Sequence, residues 1–183
     1  MNVTTDLDAR FRAAAIREGL VDVRYDVVDS PVGALHLAAT DRGLCRISYR
    51  GDGWEEELAR GFGARVLRSP LDHVRRELDE YFAGRRREFD IPLDLRVAPF
   101  HEAVLHELAR VPYGRTETYG ALAVKVGRPR AARAVGTVMN RNPIPIVLPC
   151  HRIVGANGSL TGYAGGLDVK RRLLTLEGAM LVA

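Results

Sequence analysis

Apolar positions recur at two different spacings along the chain, and the changes of spacing outline its elements. Residues 6–19 carry a helical pattern and predict a short amphipathic helix closed by Gly19. Val21–Val28, Ala34–Thr40 and Leu44–Tyr49 alternate apolar and polar positions, and Ser30-Pro31-Val32-Gly33 and Asp41-Arg42-Gly43 separate them as turns. That spacing predicts a small antiparallel sheet. Trp54–Phe62 and Leu71–Ala83 return to helical periodicity, the second with Leu71, Val74, Leu78, Tyr81 and Phe82 on one face. Phe89–Leu95 is a candidate further strand.

Pro99 opens a second, mainly helical half. Phe100–Arg110 predicts a helix with Phe100, Val104, Leu105 and Leu108 inward, ended by Val111-Pro112-Tyr113-Gly114. Thr118–Val126 is a short helix stopped by Gly127, and Pro129 suits the first turn of another that runs to about Asn140. Two short helices broken at a glycine have the shape of a helix-turn-helix. Arg128, Arg130 and Arg133 stand at or just before the start of the second helix, where a recognition helix presents side chains to a groove. Pro143, Pro145 and Pro149 then predict a stiff, extended, buried segment ending on Cys150-His151. A last helix is expected over Asp168–Glu177.

Composition narrows the class. A chain of 183 residues is one good-sized domain, or two small ones sharing a core. With 46% hydrophobic and 27% charged residues it has the profile of a globular protein. No apolar run approaches a membrane span, and the first twenty residues lack the apolar stretch of a secretory signal. Two cysteines, Cys45 and Cys150, exclude a disulfide framework, so an intracellular protein is expected. The net charge of +4 is unevenly spread: residues 1–97 hold 16 Lys and Arg against 18 Asp and Glu, whereas residues 98–183 hold 11 against 5. A basic half suggests a polyanionic partner such as nucleic acid, although charge alone favours a solvated basic face.

The chemistry concentrates at Cys150. A buried cysteine is commonly inert packing, but here a histidine follows it and an arginine-bearing helical pair precedes it. In an extended strand neighbouring side chains point to opposite faces, so contact between Cys150 and His151 needs a turn or a bridging water. The thiolate is the nucleophile, and a histidine whose tautomer is held by a third group can take the thiol proton. On the last helix Lys170, Leu173, Leu174 and Glu177 share one face. The two leucines face the core, so the lysine and the glutamate lie beside buried surface. Glu177 is either the partner of His151 or part of a surface ion pair.

Leu148-Pro149-Cys150-His151-Arg152-Ile153-Val154 resembles the active-site signature of the O6-alkylguanine-DNA alkyltransferases. The likeness extends through Val111–Gly114, Thr118–Gly120, Ala131–Gly136, Asn142-Pro143, Gly162–Leu167 and Lys170–Glu177, and more loosely through Asp29–Gly33 and Tyr81–Gly84. It implies an α/β (α+β) fold: a ribonuclease-H-like domain over residues 1–97, and a DNA-binding and alkyl-acceptor domain with a helix-turn-helix over residues 98–183. It implies Cys150 as alkyl acceptor, His151 as base through a water, Glu177 as its orienting group, Lys170 as a cation near the thiolate, and Tyr119 as proton donor to the leaving base. Arg133 would insert into the base stack as the damaged base is flipped out, on a helix lying in the minor groove. Gly120, Arg128, Arg130, Ala132 and Gly136 would meet DNA. Asn142, Ile153, Tyr163, Ala164 and Gly165 would line the base pocket with Tyr119. The expected partner is double-stranded DNA with alkylated bases, and the expected protein is a monomer of the bacterial cytoplasm acting once, without cofactor. Some relatives hold zinc in the N-terminal half; here Cys45, His36 and His73 are too few ligands, and no metal is expected. Cys45 reads as core. A DNA-binding sensor without chemistry and a Cys-His hydrolase are the competing classes.

Overall fold

The computed structural model describes residues 3–180. Helix α1 spans Val3–Arg17, and strands β1 (Val23–Val28), β2 (Leu35–Thr40) and β3 (Gly43–Ser48) follow. These strands form the expected antiparallel meander, with Asp26 opposite Leu37 and Leu37 opposite Ile47. After α2 (Trp54–Phe62) the chain adds β4 (Val66–Arg68), which pairs in parallel with β1. The sheet is therefore mixed, in the order β3-β2-β1-β4, rather than purely antiparallel. Three residues without alternation carry too little periodic signal to announce such a strand.

Two other expectations are corrected in this half. Phe89–Leu95 forms no strand; it makes a single bridge between Leu44 and Leu93. Gly43 permits that approach, because a Cβ at this residue would lie 2.2 Å from the Pro92 carbonyl oxygen. Leu7 and Phe11 of α1 are 65% and 68% exposed, so these apolar residues do not seat the helix on the core.

Helix α3 (Asp72–Phe82) buries Val74, Leu78 and Tyr81. The second half contains α4 (Pro99–Ala109), β5 (Glu117–Thr118), α5 (Tyr119–Lys125), α6 (Ala132–Asn140), β6 (Ile153–Val154) and α7 (Leu167–Leu176). Pro99 stands at the start of α4, where its missing N–H costs nothing. Thr118 caps α5 by accepting the Ala121 amide at 3.1 Å. Pro129 does not open α6; it lies in the turn closed by the Ala131 amide on the Arg128 carbonyl, and the helix begins three residues later.

One buried apolar cluster runs through both halves, from Leu35, Leu37 and Ile47 to Val104, Leu108, Val135, Ile144 and Leu173. The edge strand β3 also meets the second half directly, through the Ile47 amide on the Pro143 carbonyl at 2.9 Å. Cys45 is buried among Val23, Ala38, Trp54 and Leu58, as expected for core.

Candidate active site

The segment before Cys150 is turned, not extended. The Leu148 amide bonds back to the Ile144 carbonyl at 2.9 Å, and Ile146 takes φ 75°, a left-handed conformation costly for a β-branched residue. Asn142 closes this loop from within: its Nδ2 donates to the Leu148 carbonyl at 2.8 Å, and its Oδ1 accepts the Ile144 amide at 3.0 Å. The prolines stiffen a loop rather than a strand.

Cys150–Arg152 then form one 3-10 turn, which answers how neighbouring residues can act on one site. β6 follows at once and pairs in parallel with β5, Glu117 opposite Ile153 and Thr118 opposite Val154. This two-residue ladder sets Tyr119, the first residue of α5, beside the turn that carries the thiol. Neither strand has enough residues to show a period.

Behind the turn, Glu177 organises the site. Its Oε1 accepts from His151 Nε2 at 2.8 Å, Arg152 Nη2 at 2.9 Å and the Tyr81 hydroxyl at 2.7 Å. Its Oε2 accepts from Arg152 Nε at 2.9 Å and the Gly114 amide at 3.3 Å. Gly114 is required at this approach, since its φ is 72° and a Cβ would fall 2.8 Å from the Glu177 carbonyl. Despite burial, the bonds from His151 and Arg152 hold the Glu177 carboxyl at about 2. Ionised, it can only accept, so His151 Nε2 carries the hydrogen. Burial lowers the pKa of His151 and keeps the ring neutral. Its lone pair therefore resides on Nδ1, which is buried and without a protein partner.

Cys150 is likewise buried, and burial raises its thiol to about 11 against the opposing effects of an Asn142 hydrogen bond and the Lys170 charge. Lys170 is wholly buried and donates to the carbonyls of Ile153 at 2.5 Å and Thr161 at 3.2 Å. Tyr119 Oη meets Thr161 Oγ1 at 2.6 Å, which links the tyrosine to the same loop. Tyr163 stands edge-on to the His151 ring, with centroids 6.4 Å apart. Ala164 is exposed, and Gly165 packs on the ring of Tyr49.

Beside this site, α5 and α6 form the expected helix pair. Arg128, Arg130 and Arg133 are all exposed, the last in the first turn of α6, whereas Ala132 is half-buried. Gly136 of α6 lies against the Tyr119 ring, with space for no more than ordinary contact at 3.9 Å. Gly120 is half-buried at the start of α5. Among the described residues no group of three or more His, Cys, Asp or Glu converges on a point that could hold a metal. No helix among them is long and apolar enough to cross a membrane.

Of the expected site residues, Cys150, His151, Glu177, Lys170 and Asn142 come together around this turn, whereas Arg128, Arg130 and Arg133 stay on the exposed side of the helix pair and Ala164 is exposed. Four contributors escaped the sequence: Arg152, Tyr81, Thr161 and Tyr49. Arg152 stood within the motif without an assigned role; its place in an otherwise apolar run before Ile153-Val154 was the available signal. Tyr81 was read as core, which it also is.

A buried cysteine and a tautomer-fixed histidine stand in one turn, adjoining a helix pair with an arginine-rich exposed end, an arrangement that suits a thiol nucleophile beside a nucleic-acid-binding motif. The DNA binding domain of 6-O-methylguanine DNA methyltransferase matches residues 99–179, and its ribonuclease-like domain matches residues 23–95. A methylated-DNA–protein-cysteine methyltransferase of Mycolicibacterium paratuberculosis is 46% identical over 162 residues, covering 85% of this chain and 92% of its own. One from Methanosarcina acetivorans is 42% identical over 165 residues, covering 85% and 98%. The crystal structure of Mycobacterium tuberculosis O6-methylguanine methyltransferase superposes with a TM-score of 0.77 at 40% identity, over 88% of this chain and 96% of that one. A structure of the M. tuberculosis protein in complex with DNA gives 0.75 at 40% identity, over 85% and 93%. The chain belongs to the 6-O-methylguanine DNA methyltransferase family.

Proposed function

We propose that this protein repairs DNA directly, by moving the alkyl group of O6-alkylguanine, and of O4-alkylthymine, onto Cys150 in a single turnover. The observation that carries this reading is the unpartnered Nδ1 of a neutral His151, fixed by Glu177 next to a protonated thiol. A thiol held near 11 needs a base at the moment of attack, and Nδ1 can serve through one water. The sulfur–carbon bond forms as the carbon–O6 bond breaks; the thiol proton passes to His151, and the guanine anion takes a proton from Tyr119. Lys170 and Asn142 stabilise the thiolate as it develops. The product thioether has no good leaving group, so the protein is consumed.

The damaged base has to leave the duplex to reach a buried sulfur. Arg133 occupies the gap it leaves, Gly120, Arg128, Arg130, Ala132 and Gly136 approach the minor groove, and Asn142, Ile153, Tyr163, Ala164 and Gly165 wall the pocket. We place the alkyl-acceptor and DNA-binding domain at residues 98–183 and the ribonuclease-like domain at residues 1–97. We place the protein, as a monomer, in the cytoplasm, where its two free cysteines stay reduced. Incubation with a duplex carrying labelled O6-methylguanine tests the reading. One equivalent of label on the protein at Cys150 is expected; turnover, or no label, overturns it.

A further inference from the structure

We infer that Tyr49, at the end of the sheet's edge strand, is a positioning residue of the alkyl pocket and sets how large an alkyl group the pocket accepts. The inference rests on the alkyl-transfer reading above. Tyr49 follows β3, whose Ile47 amide is bonded to the Pro143 carbonyl, so the strand end is fixed against the loop leading to Cys150. Its hydroxyl meets the Tyr163 hydroxyl at 2.8 Å, and the two rings stand edge to face with centroids 5.8 Å apart. Tyr163 in turn stands edge-on to His151. The Tyr49 ring also presses on Gly165, where an added Cβ would lie 3.0 Å from its Cε2 and Cζ.

These contacts matter because of what they hold. Gly162–Gly166 contains three glycines and belongs to no helix or strand, so its position depends on what it leans against. The Tyr49 ring and hydroxyl are such a support, offered by the first half of the chain to a wall of the pocket in the second. Burial raises the pKa of both phenols, so both hydroxyls stay protonated and able to bond. A leucine at residue 49 would withdraw the ring and the hydroxyl together; a phenylalanine would withdraw the hydroxyl alone.

The test compares duplexes carrying O6-methylguanine and O6-benzylguanine at one position, reacted in single turnover with wild type, Tyr49→Phe and Tyr49→Leu. Tyr49→Leu should raise the benzyl-to-methyl rate ratio at least about threefold, as the wall relaxes, whereas Tyr49→Phe should keep the wild-type ratio. Tyr49→Phe should slow methyl transfer at saturating duplex by about 3- to 10-fold, the loss of one hydrogen bond, with half-saturation unchanged. A residue that merely supports the fold would slow both substrates equally. Equal slowing in Tyr49→Leu, or an unaltered methyl rate in Tyr49→Phe, overturns the assignment; should Tyr49→Leu not fold, the benzyl-to-methyl ratio of Tyr49→Met, which also removes the ring, decides in its place by the same criterion. No transfer by the wild-type protein overturns the proposed function and this inference with it, whereas transfer with failed variants overturns the inference only.

Discussion

Nε2 of His151 and Oε1 of Glu177 lie 2.8 Å apart with both side chains wholly buried, and this pair fixes which ring nitrogen can act as a base. The same carboxylate takes the Arg152 guanidinium side-on, two bonds to two oxygens. Glu177 therefore does two jobs at once: it sets the tautomer of His151, and it neutralises a buried arginine.

Replacing it tests both. In Glu177→Gln the amide oxygen can still accept, but the charge is gone, and Arg152 is left buried without compensation. Breaking such a pair costs about 3–5 kcal/mol. Denaturant unfolding should show that loss, and single-turnover transfer should slow by roughly 10²-fold, the scale of a misplaced general base. Loss of stability with an undiminished transfer rate would leave Glu177 a structural residue only.

Stability should also follow pH in a defined way. Glu177 is held at about 2, below its ordinary 4.5, so its contribution is complete above pH 4.5 and is lost as the pH falls toward 2. Cys150 is raised from 9.0 to about 11 and Cys45 to about 12, so folding favours their protonated forms. That contribution is complete below pH 9 and is lost as the pH rises through 11 and 12. Unfolding free energy measured from pH 2 to 11 should give a plateau with a falling limb at each end. Glu177→Gln should flatten the acid limb, and Cys150→Ser part of the alkaline one.

The parts of the site readable in the sequence were those with their own chemistry. Cys150, His151, Lys170 and Glu177 announce themselves because charged or nucleophilic side chains at core-facing positions need a reason. Helices with long apolar faces, such as α2 and α3, were legible from periodicity alone. What stayed hidden was set by tertiary contact. β4, β5 and β6 exist because a partner strand is there, and two or three residues carry no period of their own. The Pro143–Pro149 segment reads as extended because proline favours that conformation, yet the Asn142 side chain and the left-handed Ile146 fold it into a loop. Tyr81 and Tyr49 looked like core or strand residues, and only the folded chain aims their hydroxyls at Glu177 and Tyr163.

The two cysteines should separate cleanly by substitution. Both are buried, but Cys45 Sγ donates to the Ala38 carbonyl at 3.3 Å within an apolar cluster. Cys150→Ser should abolish transfer while duplex binding persists, because a hydroxyl is far less acidic than a thiol. Cys45→Ser should transfer normally and lose about 1–3 kcal/mol of stability from burying a more polar group. Intact mass after exposure to O6-methylguanine duplex, with binding measured in parallel, checks both.

Arg133 offers the way to separate extrusion of the base from the chemistry. It is exposed in the first turn of α6, flanked by Ala132 and Ala134, so nothing bulky beside it keeps the helix from the duplex. Extruding a base costs a few kcal/mol from a duplex and nothing for a base already free. Arg133→Ala should therefore slow repair of duplex O6-methylguanine far more than reaction with free O6-benzylguanine. Arg130, exposed in the turn before the helix, has a different expected part. If it only neutralises a phosphate, Arg130→Ala should weaken binding to all duplexes alike and reduce the salt slope by about one. Both rates for both variants, with binding at several salt concentrations, make the comparison. Equal slowing of the free-base and duplex reactions by Arg133→Ala would make that arginine part of the pocket or the fold, and the extrusion role would pass to another residue of the helix pair.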